Sequence, residues 1–205
     1  MFYKFLLVLS LKTFTTHSKI LKSLINMPKL PKNLKRTIVY ESDWIKLCLD
    51  RVEMPTGTII DPYHQLVFPF ESVVVLVLNE QGELCMIESL RYSTQTVEWE
   101  IPAGRIENNQ TIEQAAVKEV AEETGYRLDQ VKYLQFYNPS NGMSNEVMHV
   151  VWGKAVEKLN TGIDTDEVEA VYWKNEVEVR QMIRERKIKD GISLVPILLW
   201  LNKLF

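Results

Sequence analysis

Residues 104–126 read GRIENNQTIEQAAVKEVAEETGY, and the spacing of their carboxylates decides what kind of chain this is. Thr111 is placed to cap a helix, with Gln114 three residues later to complete a capping box. Gly125 stands where a left-handed C-terminal residue belongs. Between these brackets Ile112, Ala116 and Val120 recur every four residues with Ala115 and Ala121 beside them, so one face of the predicted helix packs. Glu119, Glu122 and Glu123 follow the i, i+3, i+4 rule and share another face. Clustered carboxylates repel one another unless a cation neutralises them, and an oxygen donor set suits Mg2+ or Mn2+ rather than zinc. A Glu-x-x-Glu-Glu run alone is more often a solvated helix face. The Pro102-Ala103-Gly104 turn before it and Gly125 after it are what favour a metal site.

Outward from this helix the chain alternates strands and helices. Residues 38–42, 44–54 and 59–68 read as strands, the second with Ile45, Leu47 and Leu49 alternating against polar neighbours before the turn at 55–57. Residues 72–78 and 83–90 form a predicted apolar hairpin around Asn79-Glu80-Gln81-Gly82, and 97–101 leads into the quoted stretch. Beyond the helix, 131–137, 147–155 and 168–173 are further predicted strands, with a loop at 138–145, and 177–185 and 193–204 are predicted helices. This order implies an α/β fold, a mixed sheet with packed helices, without an internal repeat or a second large domain.

At 205 residues the chain is long enough for one sizeable core. Its formal charge of −3 is unevenly spread, because residues 1–40 carry eight Lys or Arg and no acid, whereas 41–205 hold 16 basic and 27 acidic side chains. The acidic balance disfavours a general nucleic-acid binder, whose affinity comes from neutralising phosphates. Cys48 and Cys85 have no metal-ligand spacing and fit a reducing compartment. The apolar run FLLVLSL at 5–11 is too short to span a bilayer, so no membrane anchor is expected. Residues 1–36 are read as a basic extension, targeting or linker segment and 37–205 as the folded domain. Organelle targeting by residues 1–26 and an upstream extension ahead of a start at Met27 both remain open, with a cytoplasmic placement otherwise expected.

The quoted stretch resembles the Nudix box, G-x5-E-x7-R-E-U-x-E-E-x-G-U, where U is a bulky apolar residue. Gly104, Glu119, Val120, Glu122, Glu123 and Gly125 fall in register. Gln110 stands where the first Glu is expected, Lys118 where Arg is expected, and Tyr126 at the last apolar position. The resemblance implies a Nudix-type α/β/α sandwich with a mixed sheet and an additional N-terminal antiparallel sheet, acting as a metal-dependent hydrolase. In the family the first Glu and the Arg support the loop-helix geometry, so Gln110 and Lys118 imply a weaker form of that contact. A weakly active or non-catalytic nucleotide-binding module is the alternative.

The run WEIPAG at 99–104, preceded by Ser89-Leu90-Arg91-Tyr92, and the loop NPSNGMSNE at 138–146 resemble the ADP-ribose and ADP-sugar pyrophosphatase branch. That likeness implies a metal site of the Ala103 carbonyl with Glu119, Glu122 and Glu123, filled by Mg2+ with Mn2+ possible. It also implies Glu146 as general base, with Glu122 and Glu119 the next catalytic candidates. Arg91 is expected on the pyrophosphate, since a guanidinium bonds phosphate oxygens bidentately. The likeness also implies Gly104 at the substrate site, and Trp44 or Trp99 is expected on the adenine. The expected substrate is a nucleotide sugar, ADP-ribose giving AMP and ribose 5-phosphate, with a GDP-sugar or dinucleotide as alternatives. The implied assembly is a homodimer, with neither nucleic acid nor membrane as partner. His149 is read as a core residue of a strand.

Overall fold

The computed structural model describes residues 28–160 and 162–205; the readings made for residues 1–26 lie outside them. The first three strands, β1 (Lys32–Glu41), β2 (Lys46–Glu53) and β3 (Ile59–Val67), form an antiparallel sheet in that order. Strand β1 takes in residues 32–36, which composition alone had grouped with the basic extension. Arg36 explains why: its guanidinium bonds both oxygens of Asp50 on β2, at 2.9 and 2.7 Å, and Asp50 is only 3% exposed. A buried carboxylate needs such a partner, and a pairing 14 residues apart is invisible to local pattern.

Contacts group the described residues into two compact units, one formed by the residues up to 37 with 49–64, the other by 38–48 with 65–205. The second unit holds a mixed seven-stranded sheet built from β4 (Ser72–Leu78), β5 (Leu84–Arg91), β6 (Thr96–Glu100), β7 (Ala103–Arg105), β8 (Tyr126–Tyr137), β9 (Met148–Lys158) and β10 (Val168–Lys174). The order is β10-β5-β4-β9-β8, with β6 on β5 and β7 on β4. Strands β4 and β9 run parallel, Ser72 opposite Met148 through Leu78 opposite Lys154, and the other pairs are antiparallel. The expected hairpin at 79–82 is confined to its turn, since β4 and β5 share the register pair Leu78 and Leu84 and then take different neighbours.

Helix α1 (Ile112–Thr124) covers one face of this sheet, while α2 (Glu176–Arg184) and α3 (Gly191–Leu201) pack on the other. Strand β4, SVVVLVL, reads as an unbroken apolar run because both of its faces are covered. Val73, Val75 and Val77 pack with Ala115, Ala116 and Val120 of α1, whereas Val74 and Leu76 pack with Val179, Met182, Ile197 and Leu201. This is the α/β/α sandwich expected from the sequence. The caps of α1 also form as expected: Gln114 N–H donates to Thr111 Oγ1 at 3.2 Å, Thr111 N–H donates to Gln114 Oε1 at 2.8 Å, and Gly125 adopts φ 69°. Strand β7, three residues long and directly after Pro102, was not predicted. It exists because β4 supplies its partners.

Candidate active site

The pairing of β7 with β4 sets Ala103 opposite Val74 and Gly104 opposite Val73, which carries this turn beneath the acidic face of α1. A Cβ on Gly104 would lie 2.2 Å from Cδ and Oε2 of Glu119, so the glycine makes room for that carboxylate. The N–H of Ala103 donates to Glu123 Oε2 at 3.1 Å. Two of the three helix acids are thereby held against the turn that precedes the helix.

Burial sets their charge behaviour. Glu123 is 6% exposed, and desolvation pushes its pKa up to about 8, with Glu119 and Glu167 adding to the rise and the Ala103 N–H and Arg91 opposing it. Glu119 is shifted upward as well, first by burial and then by Glu122 and Glu167, against the pull of Lys118. Glu122 is more open, and its Oε2 lies 3.1 Å from Lys118 Nζ. The same ammonium stands 3.6 Å from Glu119 and 3.2 Å from Glu107. Burial works against the charge of Lys118, but hydrogen bonds to Glu122 and Glu107 and the nearby Glu119 carry its pKa above the usual lysine range.

Arg91, at the end of β5, grips both oxygens of Glu100 on β6, with Nε at 2.8 Å from Oε1 and a second, closer contact from its terminal nitrogen. Its charge opposes the rise of the Glu123 pKa that burial causes. Trp44 is 63% exposed, with Arg105 Cζ 4.6 Å above its ring and Phe70 edge-on at 6.0 Å. The adjoining cleft, of about 660 Å³, is lined by Glu41, Asp43, Phe70, Arg105 and Glu107 among others. Trp99 goes elsewhere: it packs against Tyr172 at 4.9 Å and lines a hollow with Met182 and Gln181 of α2. His149 is buried, as expected of a core residue, and its Nε2 bonds Glu71 at 2.6 Å.

Glu146 lies in a loop bound to the end of β3 and the residue after it. Leu66 N–H donates to Met143 O at 2.8 Å, and the Asn145 side chain bonds both the N–H and the carbonyl of Phe68, at 2.7 and 3.0 Å. Burial accounts for the raised pKa of Glu146. A different acid, Glu167, adds to the upward shifts that burial gives Glu119 and Glu123. Its segment is tied along the end of α1, where Asp164 N–H donates to Glu122 O at 3.0 Å, and Glu167 O accepts from Leu90 N–H at 2.8 Å. Sequence reasoning passed over Glu167. The signal available was the run Asp164, Asp166, Glu167 before the last strand, which does not say where such a run lands.

The donor set is one of hard oxygens, with a carboxylate bedded on a glycine and like charges crowded around a buried acid; these residues fit a divalent ion such as Mg2+ or Mn2+. Among the described residues no three acids already converge as ligands. The Lys118 ammonium and the Ala103 N–H meet part of their charge instead.

Residues 69–193 match the NUDIX domain family. The chain belongs to the Nudix family. Residues 32–66 match the nucleoside diphosphate sugar hydrolase N-terminal domain, the segment of β1 to β3. ADP-ribose pyrophosphatase of Bacillus subtilis (strain 168) is 27% identical over 164 residues, covering 80% of this chain and 82% of that protein. The methanol dehydrogenase activator of Bacillus methanolicus is 27% identical over 168 residues, covering 81% and 90%. A solved structure described as an ADP compounds hydrolase superposes with a TM-score of 0.75 at 15% identity, over 87% of this chain and 98% of that one, and so shares the fold. This Nudix protein is a hydrolase similar to ADP-ribose pyrophosphatases, and Nudix hydrolases use divalent metal ions. None of the helices among the described residues is long and apolar enough to cross a membrane.

Proposed function

We propose that this Nudix hydrolase cleaves the diphosphate linkage of a nucleoside diphosphate sugar in a Mg2+-dependent reaction, converting ADP-ribose to AMP and ribose 5-phosphate. The observation that carries this reading is the placement of two acids of α1 against the turn that precedes it, Glu119 at Gly104 and Glu123 on the Ala103 N–H, with Glu122 close by on the same helix. Glu119, Glu122 and Glu123, with the Ala103 carbonyl, would hold the cation. When bound, Mg2+ neutralises phosphate oxygens and lowers the pKa of a coordinated water.

The remaining work falls to side chains. Glu167 is the first candidate proton acceptor, because its segment is hydrogen-bonded to Glu122 O of α1 and to Leu90 N–H next to Arg91, and Glu146 is the second. Arg91, braced by Glu100 but with a 45% exposed side chain, offers donors to the pyrophosphate. The exposed ring of Trp44, backed by Arg105 and Phe70, offers a flat face to the adenine. Trp99 has less support, since its ring is engaged with Tyr172 and the α2 side.

A homodimer is supported by β1, every residue of which is exposed, with Leu34, Ile38, Val39 and Tyr40 each about half exposed. An exposed edge strand that carries four large apolar side chains among its charged ones invites a partner. The test is phosphate release, through a coupled phosphatase, from a panel of ADP-ribose, ADP-sugars, GDP-sugars and dinucleotides with and without Mg2+. Turnover highest on ADP-ribose supports the proposal. Preference for another compound reassigns the substrate, and none on any compound leaves a binding module.

A further inference from the structure

Lys118 has three N–H donors and three carboxylates around it. Two, Glu119 and Glu122, belong to the proposed metal site; the third, Glu107, comes from the loop ahead of α1, 11 residues earlier in the chain. That loop is closed by Gln110. Its backbone N–H donates to Glu107 O at 3.1 Å, and its side-chain Oε1 accepts the Glu107 N–H at 3.0 Å. The loop is anchored at its start by Ile106 N–H donating to Glu71 O at 2.9 Å, and Asn109 makes its bend at φ 68°. Gln110, at the place where the box expects an acid, is thus spent on the loop backbone and brings no charge to Lys118.

We propose that Glu107 is a positioning residue that takes over this acidic place and, by sharing Lys118, keeps the ammonium from closing fully on Glu119 and Glu122. Without Glu107 the ammonium has only those two carboxylates, and an incoming cation must displace it from both. The inference rests on the metal reading above.

The experiment measures Mn2+ binding to metal-depleted protein, through the spectrum of free Mn2+ in electron paramagnetic resonance, without turnover. Glu107→Gln is expected to weaken binding about 10-fold, at the low end for residues that support metal ligands. Glu107→Gln with Gln110→Glu should return affinity to near the starting value, because position 110 is where the box places the acid that faces its basic residue. Glu107→Gln with Asn109→Asp restores net charge without that contact and should stay weak. In a Lys118→Gln background, Glu107→Gln should make no further difference.

Equal rescue by both second changes, or an undiminished effect of Glu107→Gln without Lys118, overturns the proposal in favour of general electrostatics. Thermal unfolding in chelator checks that each variant folds, and Glu107→Asp, expected to show an intermediate loss, serves if Glu107→Gln does not. If the unaltered chain binds no Mn2+, the metal reading falls and takes this inference with it. Mn2+ binding that shows the predicted pattern without hydrolysis would instead uphold the inference while refuting the proposed reaction.

Discussion

The segments 138–146 and 159–167 both end in a glutamate next to a strand of the central sheet, yet they are held by different parts of the molecule. The first is bonded to residues 66 and 68, and its Glu146 adds to the raised pKa of Tyr137, whose hydroxyl donates to Ile192 O. The second is bonded to the last turn of α1 through Leu159 and Asp164, and its Glu167 shifts Glu119 and Glu123. The usefulness of an acid in such a site follows from what its segment is tied to. At distances where carboxylates shift one another's titration they also share the field of a bound cation.

The largest expected effect tests whether there is anything for either acid to serve. Exhaustive chelation should abolish turnover and added Mg2+ should restore it, measured as AMP formed, by chromatography; undiminished activity in chelator removes the basis for comparing the two segments. Next, Glu167→Gln should lower kcat by about 10²- to 10⁴-fold, the range for loss of a general base. Glu146→Gln should cost less than about 10-fold by the same measure. The reverse ranking would break the comparison and return the base to the 138–146 loop.

Gly104→Ala sharpens it from the helix side. The added methyl meets the end of a flexible side chain, so Glu119 must swing away while the fold survives. Turnover should fall by about 10²-fold, with the midpoint of thermal unfolding nearly unchanged; normal activity would mean that the bedded position of Glu119 is not the working one. The smallest catalytic effect is expected for Asn145→Ala, which removes both bonds to Phe68. Stability should drop by about 1–2 kcal/mol in denaturant unfolding, with turnover little altered. A large loss of turnover would show that this tie serves the chemistry after all.

Much of the box was open to inspection in the sequence because its rules are local. The capping residues Thr111 and Gln114, the left-handed Gly125 and the shared face of Glu119, Glu122 and Glu123 all depend on spacing within a single helix. Strand β4 was legible for a related reason, since a run of seven with no charge reads as a strand covered on both faces. Alternation and turn residues likewise announced most of the remaining strands and the α/β class.

Other features belong to the tertiary structure because they join residues far apart in the chain. Strand β7 needs β4, the start of β1 is pinned by Arg36 on Asp50, and Lys118 finds its acid in Glu107 rather than at position 110. Two glutamates in similar loops differ only in where their backbones are bonded, and a short polar segment carries no periodicity to reveal that. The sequence by itself determined the helix, the shared face of its three glutamates and the class of fold, through interactions within a few residues. Where Asp164 and Glu167 lie was decided by backbone hydrogen bonds to Glu122 of α1 and Leu90 of β5, because only the folded chain brings those groups within reach.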